Sequence, residues 1–347
     1  MKRVCLFVSA IVVLLAGTAT ANAQSSPSVS IYGRAHVSTA YLYNGDEGGM
    51  NLSSNSSYLG FRASTDISEN LKGFIQIEQE VFFDNGAGNF ASRDTFVGLQ
   101  GNFGKIQFGH FDTPLKRVGL TVDFFGNQIG DNRNLTRLRD VHGGNYDFDT
   151  RFRNSIQYTS PSISGVVIDF NLSTNTDAGN NPPGVGRESY STSIVYSDRK
   201  FYAAGAYERK QDTRSEAFRF SLAYTAGDIR IAGLGQIAYI KSPSAGTSLR
   251  VNTIGGGASY RVTTKATVKG QYYRLIAAGE ERNADMIALG FDYLLGKSFR
   301  LLFAYARTGN DDAARYTMSA GGHGAQVYPA EAGMAAGGAS VGLRYDF

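Results

Sequence analysis

Apolar and polar residues alternate one by one along most of the chain, the period of strands that carry one apolar and one polar face. At the C-terminal end Ala339, Val341, Leu343, Tyr345 and Phe347 fall on one face, opposed by Ser340, Gly342, Arg344 and Asp346. Within 266–276, Val268 and Tyr272 oppose Lys269, Gln271 and Tyr273; further upstream Ile75 and Ile77 oppose Gln76, Glu78 and Glu80. A helix would scatter these charges around its circumference. The pattern predicts sixteen strands, at 29–43, 57–66, 71–83, 92–102, 105–111, 151–159, 165–174, 188–197, 200–209, 216–226, 229–240, 249–262, 265–276, 284–295, 298–307 and 338–347.

Short connections alternate with long ones. Ser68-Glu69-Asn70, Asn102-Phe103-Gly104-Lys105, Ser197-Asp198-Arg199-Lys200 and Ala226-Gly227-Asp228 are turn-forming sequences suited to hairpins. Polar segments rich in Gly and Asn, such as 44–56, 175–187 and 309–337, read as long loops. An even number of strands with one tight and one loopy end predicts an all-β fold, a 16-stranded antiparallel transmembrane β-barrel. In hydrocarbon every backbone N–H and C=O must bond within the protein, so the sheet has to close, its last strand on its first. A soluble sandwich or small closed barrel would also alternate. Its dry core would have to pair every one of Glu78, Glu80, Lys269, Gln271, Arg344 and Asp346, which a water-filled lumen need not do.

Composition sets the compartment. Lys2 and Arg3 precede an uncharged apolar stretch, 4–17, and the small-x-small site Ala21-Asn22-Ala23. That is the form of a secretory signal, too short for a spanning helix of about 20 residues. The expected organisation is a signal peptide over 1–23 and a barrel over 24–347, exported to the bacterial outer membrane. Cys5, the one cysteine, lies in the signal, so the processed chain has no thiol, disulfide or cysteine-based metal site. The formal charge of +4 falls to near +2 when Lys2 and Arg3 leave. Such a balance argues against a nucleic-acid partner, which would show a basic block or stripe.

Enzymatic readings find little support. His36, His110, His142 and His323 lack metal-ligand spacing, and none accompanies a G-x-S-x-G elbow. Gly255-Gly256-Gly257 sits inside a predicted strand rather than before a helix, so it is no phosphate loop. Glu78 and Glu80 share a face, but lining a pore explains them more simply than an acid–base pair. No catalytic residue, cofactor or metal is expected.

Several segments resemble the neisserial-type general porins of beta-proteobacteria. They are Ser28-Val29-Ser30-Ile31-Tyr32-Gly33, Leu59-Gly60-Phe61-Arg62, the run from Arg93 to Gly104 (RDTFVGLQGNFG), the run from Arg151 to Pro161 (RFRNSIQYTSP), and the terminal Arg344-Tyr345-Asp346-Phe347. They recur in the family's order across the whole chain. The resemblance implies a homotrimer of sixteen-stranded barrels, each narrowed by an inward-folded third loop, embedded among outer-membrane lipid and lipopolysaccharide and passing small hydrophilic solutes and ions. A substrate-specific channel, or an adhesin or receptor working through its loops, is the alternative.

The gap 112–150 is the natural third loop, since a structureless segment of that length calls for a function. It carries Asp112, Asp123, Asp131 and Asp140, and Phe124-Phe125-Gly126 resembles the family's acidic-aromatic-glycine bend. Opposed arginines would set up a transverse field across a narrow aqueous passage. Arg62 shares parity with Gly60 and Ser64; Arg151 and Arg153 share parity with Ser155 and Gln157, opposing Phe152, Ile156 and Tyr158. All three are therefore expected in the lumen. Alternation places Arg93 with Val97 and Leu99 toward lipid whereas the resemblance places it in the lumen, a conflict that only a bulge or a position beyond the hydrocarbon removes. Tyr58 and His110 stand where the family carries basic residues. The expected constriction is thus Arg62, Arg93, Arg151 and Arg153 facing Asp112, Asp123 and Asp131, with a weak anion preference. The competing role for each arginine is a lumenal salt bridge that only stiffens the wall.

Overall fold

The computed structural model describes residues 27–88, 90–138, 146–174, 188–241, 248–278, 281–318 and 322–347. The expected signal segment, Asp140, His142 and the loop 175–187 lie outside them. The chain begins with β1 (Ser28–Tyr43), β2 (Gly48–Ser54), β3 (Tyr58–Ser68), β4 (Leu71–Glu80), β5 (Thr95–Gly101) and β6 (Gly104–Asp112). Two short helices follow, α1 (Pro114–Leu120) and α2 (Arg133–Thr136). Then come β7 (Arg151–Thr159), β8 (Val166–Ser173), β9 (Ser189–Ser197), β10 (Phe201–Lys210), β11 (Ser215–Ala226) and β12 (Ile229–Lys241). The series ends with β13 (Ser248–Arg261), β14 (Ala266–Ala277), β15 (Ala284–Leu294), β16 (Phe299–Asn310) and β17 (Ala336–Asp346).

Apart from β2 and β3, neighbouring strands in sequence pair antiparallel, and β1 meets β17 from Arg34↔Asp346 to Tyr43↔Gly337, which closes the cylinder. Gly33 and Phe347 exchange two further backbone hydrogen bonds, of 3.0 and 3.1 Å, at the seam. Glycine suits position 33, where a Cβ would stand 2.7 Å from the Tyr58 carbonyl oxygen and 2.6 Å from the Phe347 ring.

The other edge of β1 pairs with β2 along its loop-side half and with β3 along its turn-side half. These two form a single stave interrupted at 55–57, where Ser56 takes φ 52°, so the closed barrel has sixteen staves. The segment 44–56, expected to be a loop, is therefore strand over Gly48–Ser54, with only a short turn before it. Its polar composition hides the alternation, of which Met50 (69% exposed) and Leu52 (53%) are the outward members. The long edge of β1 supplies the register that the local sequence does not.

Outward positions are apolar around the whole circumference, among them Val29, Ile31, Val97, Phe220, Ile254, Leu289 and Val341, all exposed. An apolar surface of that extent belongs against hydrocarbon. Inward positions are small or polar: Ser38, Gln107, Gln157, Asn171, Ser191 and Ser221 are buried. On the inner wall of β10–β12, Ala204, Ala206, Ala217, Ala223, Ala232 and Ala238 make room for what lies inside.

Candidate pore constriction

Residues 113–138 and 146–150 fold into the barrel, and α1 packs against β8, β9, β10 and β11. Thr113 starts α1 by accepting the Lys116 N–H at 3.3 Å, and Pro114, which has no N–H to satisfy, occupies the first turn. Leu115, Val118, Val122, Leu135, Leu138 and Phe148 of this third loop form one apolar cluster with the wall alanines, Leu234 and Leu275. Small wall residues thus receive large loop residues, and that complementarity drives the loop inward.

Polar contacts with several wall strands fix its position. Arg219 on β11, 0% exposed, donates to both oxygens of Asp149 at 2.5 and 3.0 Å and also reaches the Leu115 carbonyl and Gln236. Gln271 on β14 clamps the bend: it accepts from Phe124 N–H at 3.1 Å and donates to Asp123 at 2.9 Å and to the Gly130 carbonyl at 2.7 Å. Lys210 on β10 donates to the Tyr146 carbonyl at 2.8 Å. Burial and the neighbouring Asp131 charge push the Asp123 carboxyl up to about 8.

Between the third loop and the opposite wall lies a lumenal space of about 710 Å³. Arg93, Arg151, Arg153 and Asp112 all line it, together with Lys116, Arg133 and Glu78. Arg151 reaches Asp94 at 2.5 Å and Asp112 at 3.2 Å; Lys116 holds the same Asp112 oxygen at 2.7 Å. Arg93 bonds Glu78 at 3.2 Å and lies over the Tyr58 ring at 4.9 Å. Arg34 also faces Tyr58, at 5.6 Å, so the aromatic ring at this position carries two guanidinium groups rather than simply removing a charge.

The expected residues are not all brought together. Arg93 precedes β5, in the connection 81–94, so strand parity does not govern it and it turns to the lumen. Arg151 and Arg153 line the lumen as alternation suggested, but the strand around them is irregular. The β6–β7 register slips between Gly109 and Phe111, Asn154 takes φ 49°, and Phe152, expected toward lipid, is wholly buried. Arg62 is inward but sits apart, toward the turn end. It donates to Gln76 at 2.8 Å, lies 3.9 Å over Tyr32, and lines a separate space of about 420 Å³ with Gln100 and Lys105. Asp123 and Asp131 do not line the main space. Asp123 is turned to the wall, and Asp131, 0% exposed, is spent on Arg133 at 2.6 Å and on the Asn127 N–H at 2.7 Å.

Sequence reasoning missed Arg219, Lys116, Arg133 and Asp94. The signal for Arg219 was present: it is the one cation among the inward small residues Ser215, Ala217, Ser221 and Ala223 of β11. The last long connection was also missed as a pore element. Gly322, His323, Gly324 and Gln326 line the same space, seated where Ser56 donates to the Gly322 carbonyl at 3.0 Å and Asn55 accepts the Gly324 N–H at 3.0 Å.

Comparisons with known proteins agree with this architecture. Residues 9–313 match the family model of the Gram-negative porin. Outer membrane porin protein 32 of Delftia acidovorans is 28% identical over 357 residues, covering 96% of this chain and 97% of that protein. Major outer membrane protein P.IB of Neisseria meningitidis is 28% identical over 203 residues, 58% of this chain and 55% of its own length. Among solved structures, the anion-selective porin from Comamonas acidovorans superposes with a TM-score of 0.79 at 25% identity, over 93% of this chain and 100% of that one. A closed barrel with an apolar exterior, a polar lumen and a loop folded across it is a passive conduit for small hydrophilic solutes, and the chain belongs to the Gram-negative porins of the outer membrane.

Proposed function

We propose that this porin passes anions in modest preference to cations, with Arg93, Arg151 and Arg153 setting the field at the constriction and Arg62 continuing it toward the turn end. The observation that carries the proposal is the charge balance of the wall. Among the described residues, seven cationic side chains line the main space against five anionic ones. Most of these charges are paired: Glu78 with Arg93, Asp94 and Asp112 with Arg151, Lys116 with Asp112, Asp149 with Arg219, and Arg34, Arg133 and Arg137 with Asp346, Asp131 and Asp147. Arg153 is exposed and has no ion-pair partner among the described residues. Arg62 and Lys105 line the turn-side space without a lining carboxylate. The similarity to the anion-selective porin from Comamonas acidovorans supports the same reading.

The working form we propose is a homotrimer from which residues 1–23 have been removed, acting as a channel and not as a catalyst. The outward positions of β1–β5 support the trimer. Val29, Ile31, Val37, Leu52, Phe61, Ile75, Ile77 and Val97 stand on them and no charged residue does, which suits a face covered by protein.

Reversal potentials in planar bilayers under a KCl gradient test the preference. The parent should favour chloride, and Arg153→Gln, Arg151→Ala and Arg62→Ala should each move the potential toward potassium. Arg151→Ala should move it most, because it leaves Asp94 and Asp112 short of a counter-charge. A potassium-selective parent, or variants with the parental potential, would refute the proposal.

A further inference from the structure

The turn-side space that Arg62 lines also contains two aromatic rings, Phe74 and Phe96. Both stand on inward positions. The ladder carries the inward Arg62 across to Gln76 and on to Phe96, and the next inward row runs through Ser64, Phe74, Gly98 and Gln107. Phe111 and Phe152, the other inward phenylalanines of this part of the wall, are buried, whereas Phe74 and Phe96 are only half-buried and keep part of their surface in the turn-side space. The two rings meet edge to face with centroids 6.1 Å apart, and Phe96 rests in turn on Phe111 at 5.8 Å. Gly98 gives the Phe74 ring its seat: a Cβ there would stand 2.5 Å from that ring and 2.4 Å from the Ile106 carbonyl oxygen, so the ring lies against bare backbone.

Two cations flank the rings. Arg62 lies over Tyr32 and donates to Gln76, which orients its guanidinium, and Lys105 stands toward the turn, opposite Gln100. Neither has an ion-pair partner among the described residues, and no carboxylate lines the space. The acids on either side along the ladder, Asp66 and Glu78, are held by Lys72 at 3.6 Å and by Arg93 at 3.2 Å. Chloride has no apolar part to set against a pair of phenylalanines. A half-covered apolar surface between two unneutralised cations is complementary to a solute with an anionic head and a flat apolar body.

We propose that this vestibule binds aryl carboxylates, with the carboxylate on Arg62, the ring against Phe74 and Phe96, and Lys105 drawing the anion in from the turn end. Arg62 and Phe96 are two strand spacings of about 4.8 Å apart, and Phe74 falls between them one row on, an interval that a carboxylate and a ring joined by one methylene can span. The volume of about 420 Å³ falls within the range of ligand clefts, roughly 300–1,000 Å³. This site rests on the anion preference proposed above for the sign of its solute's charge, and it gives that preference a solute class.

Block of unitary KCl current by phenylacetate, added to both compartments of planar bilayers holding the full-length processed protein, tests the assignment, with acetate as the ring-free control and benzyl alcohol as the uncharged one. Phenylacetate should block saturably, at a concentration roughly tenfold below that of either control, since only it uses both the ring surface and the guanidinium. Arg62→Gln should raise its half-blocking concentration roughly tenfold, the value of one charge-assisted hydrogen-bonded contact. Phe74→Ser, with folding verified by heat-modifiable gel mobility, should reduce phenylacetate to the strength of acetate. Parental block in Phe74→Ser overturns the proposal, and so does a parent protein that acetate blocks as strongly as phenylacetate, a comparison that needs no variant. A parent that favours potassium under a KCl gradient yet shows the ring-dependent block refutes the ion preference and upholds the site; a chloride-favouring parent without that block refutes the site alone.

Discussion

Asp149→Ala takes the counter-ion from Arg219, a guanidinium wholly enclosed between the third loop and β11. Removing one partner of a buried ion pair costs about 3–5 kcal/mol, because the remaining charge is left in a medium that solvates it poorly. Arg219 keeps Gln236 and the Leu115 carbonyl, which sets the loss nearer the lower figure. The cost falls on the loop's attachment and not on the barrel, whose backbone ladder passes through Arg219↔Gln236 and Ala206↔Arg219 whatever Asp149 does. About 3 kcal/mol lowers the preference for the seated loop by roughly a hundredfold. The apolar cluster still holds it, each of Leu115, Val118 and Leu135 contributing about 1.5–3 kcal/mol. Excursions should therefore become visible rather than dominant: flickering single-channel current and faster proteolysis within 113–150, with unchanged heat-modifiable gel mobility of the barrel. Arg219→Leu combined with Asp149→Leu should restore quiet conductance, because an apolar pair of similar volume replaces a buried ion pair at little cost. Burial opposes ionisation of Asp149, but Arg219 outweighs it and holds the carboxyl below its ordinary value. Its contribution is complete above the unfolded carboxyl value of about 4 and disappears only as pH falls through the lower folded value, so at pH 5 the fastening should be intact. Parental noise and protease resistance in Asp149→Ala, or a double variant worse than the single, would refute the argument.

Burial, reinforced by Arg151 and opposed by Asp112, pushes the Lys116 ammonium down to about 8. Its charge is present below that pH and lost above it, so reversal potentials should show anion preference falling between pH 7 and pH 9, and Lys116→Arg should abolish that fall; the same slope in the variant would assign the titration elsewhere. Deleting Phe347 removes both seam hydrogen bonds with Gly33 and the stacking on Tyr345. At about 1 kcal/mol for each bond and about 1 for the stacking, the barrel should lose roughly 3 kcal/mol, measured after refolding as a lower midpoint of the heat-induced gel shift. An unchanged midpoint would mean that the ladder from Arg34 to Tyr43 closes the seam without it.

Most staves can be read directly from the sequence because alternation is a local property. A strand with lipid on one side and water on the other declares itself within six or seven residues, as Phe218, Phe220, Leu222 and Tyr224 against Ala217, Arg219 and Ser221 do in β11. Tight turns with Gly, Asn and Asp mark one end of the barrel for the same reason. The family motifs, being continuous in the chain, were legible too.

What local pattern could not convey is which polar residues meet the solute. Asp123 and Asp131 have the composition of constriction acids, yet one is clamped to Gln271 and the other encloses Arg133. Parity placed Arg151 and Arg153 on the lumenal side, where they are, but could not foresee the register slip beside them that buries Phe152; Arg93 reaches the lumen from a loop, where parity has no meaning. The sequence by itself determined the closed barrel, its two unlike ends and its membrane-facing exterior, since solvent on each side of a strand imposes a period of two on the residues that face it. Only the tertiary structure decided how the third loop is seated and which charges remain in the water, because those depend on partners such as Asp149 and Arg219, 70 residues apart in the chain, that share no period.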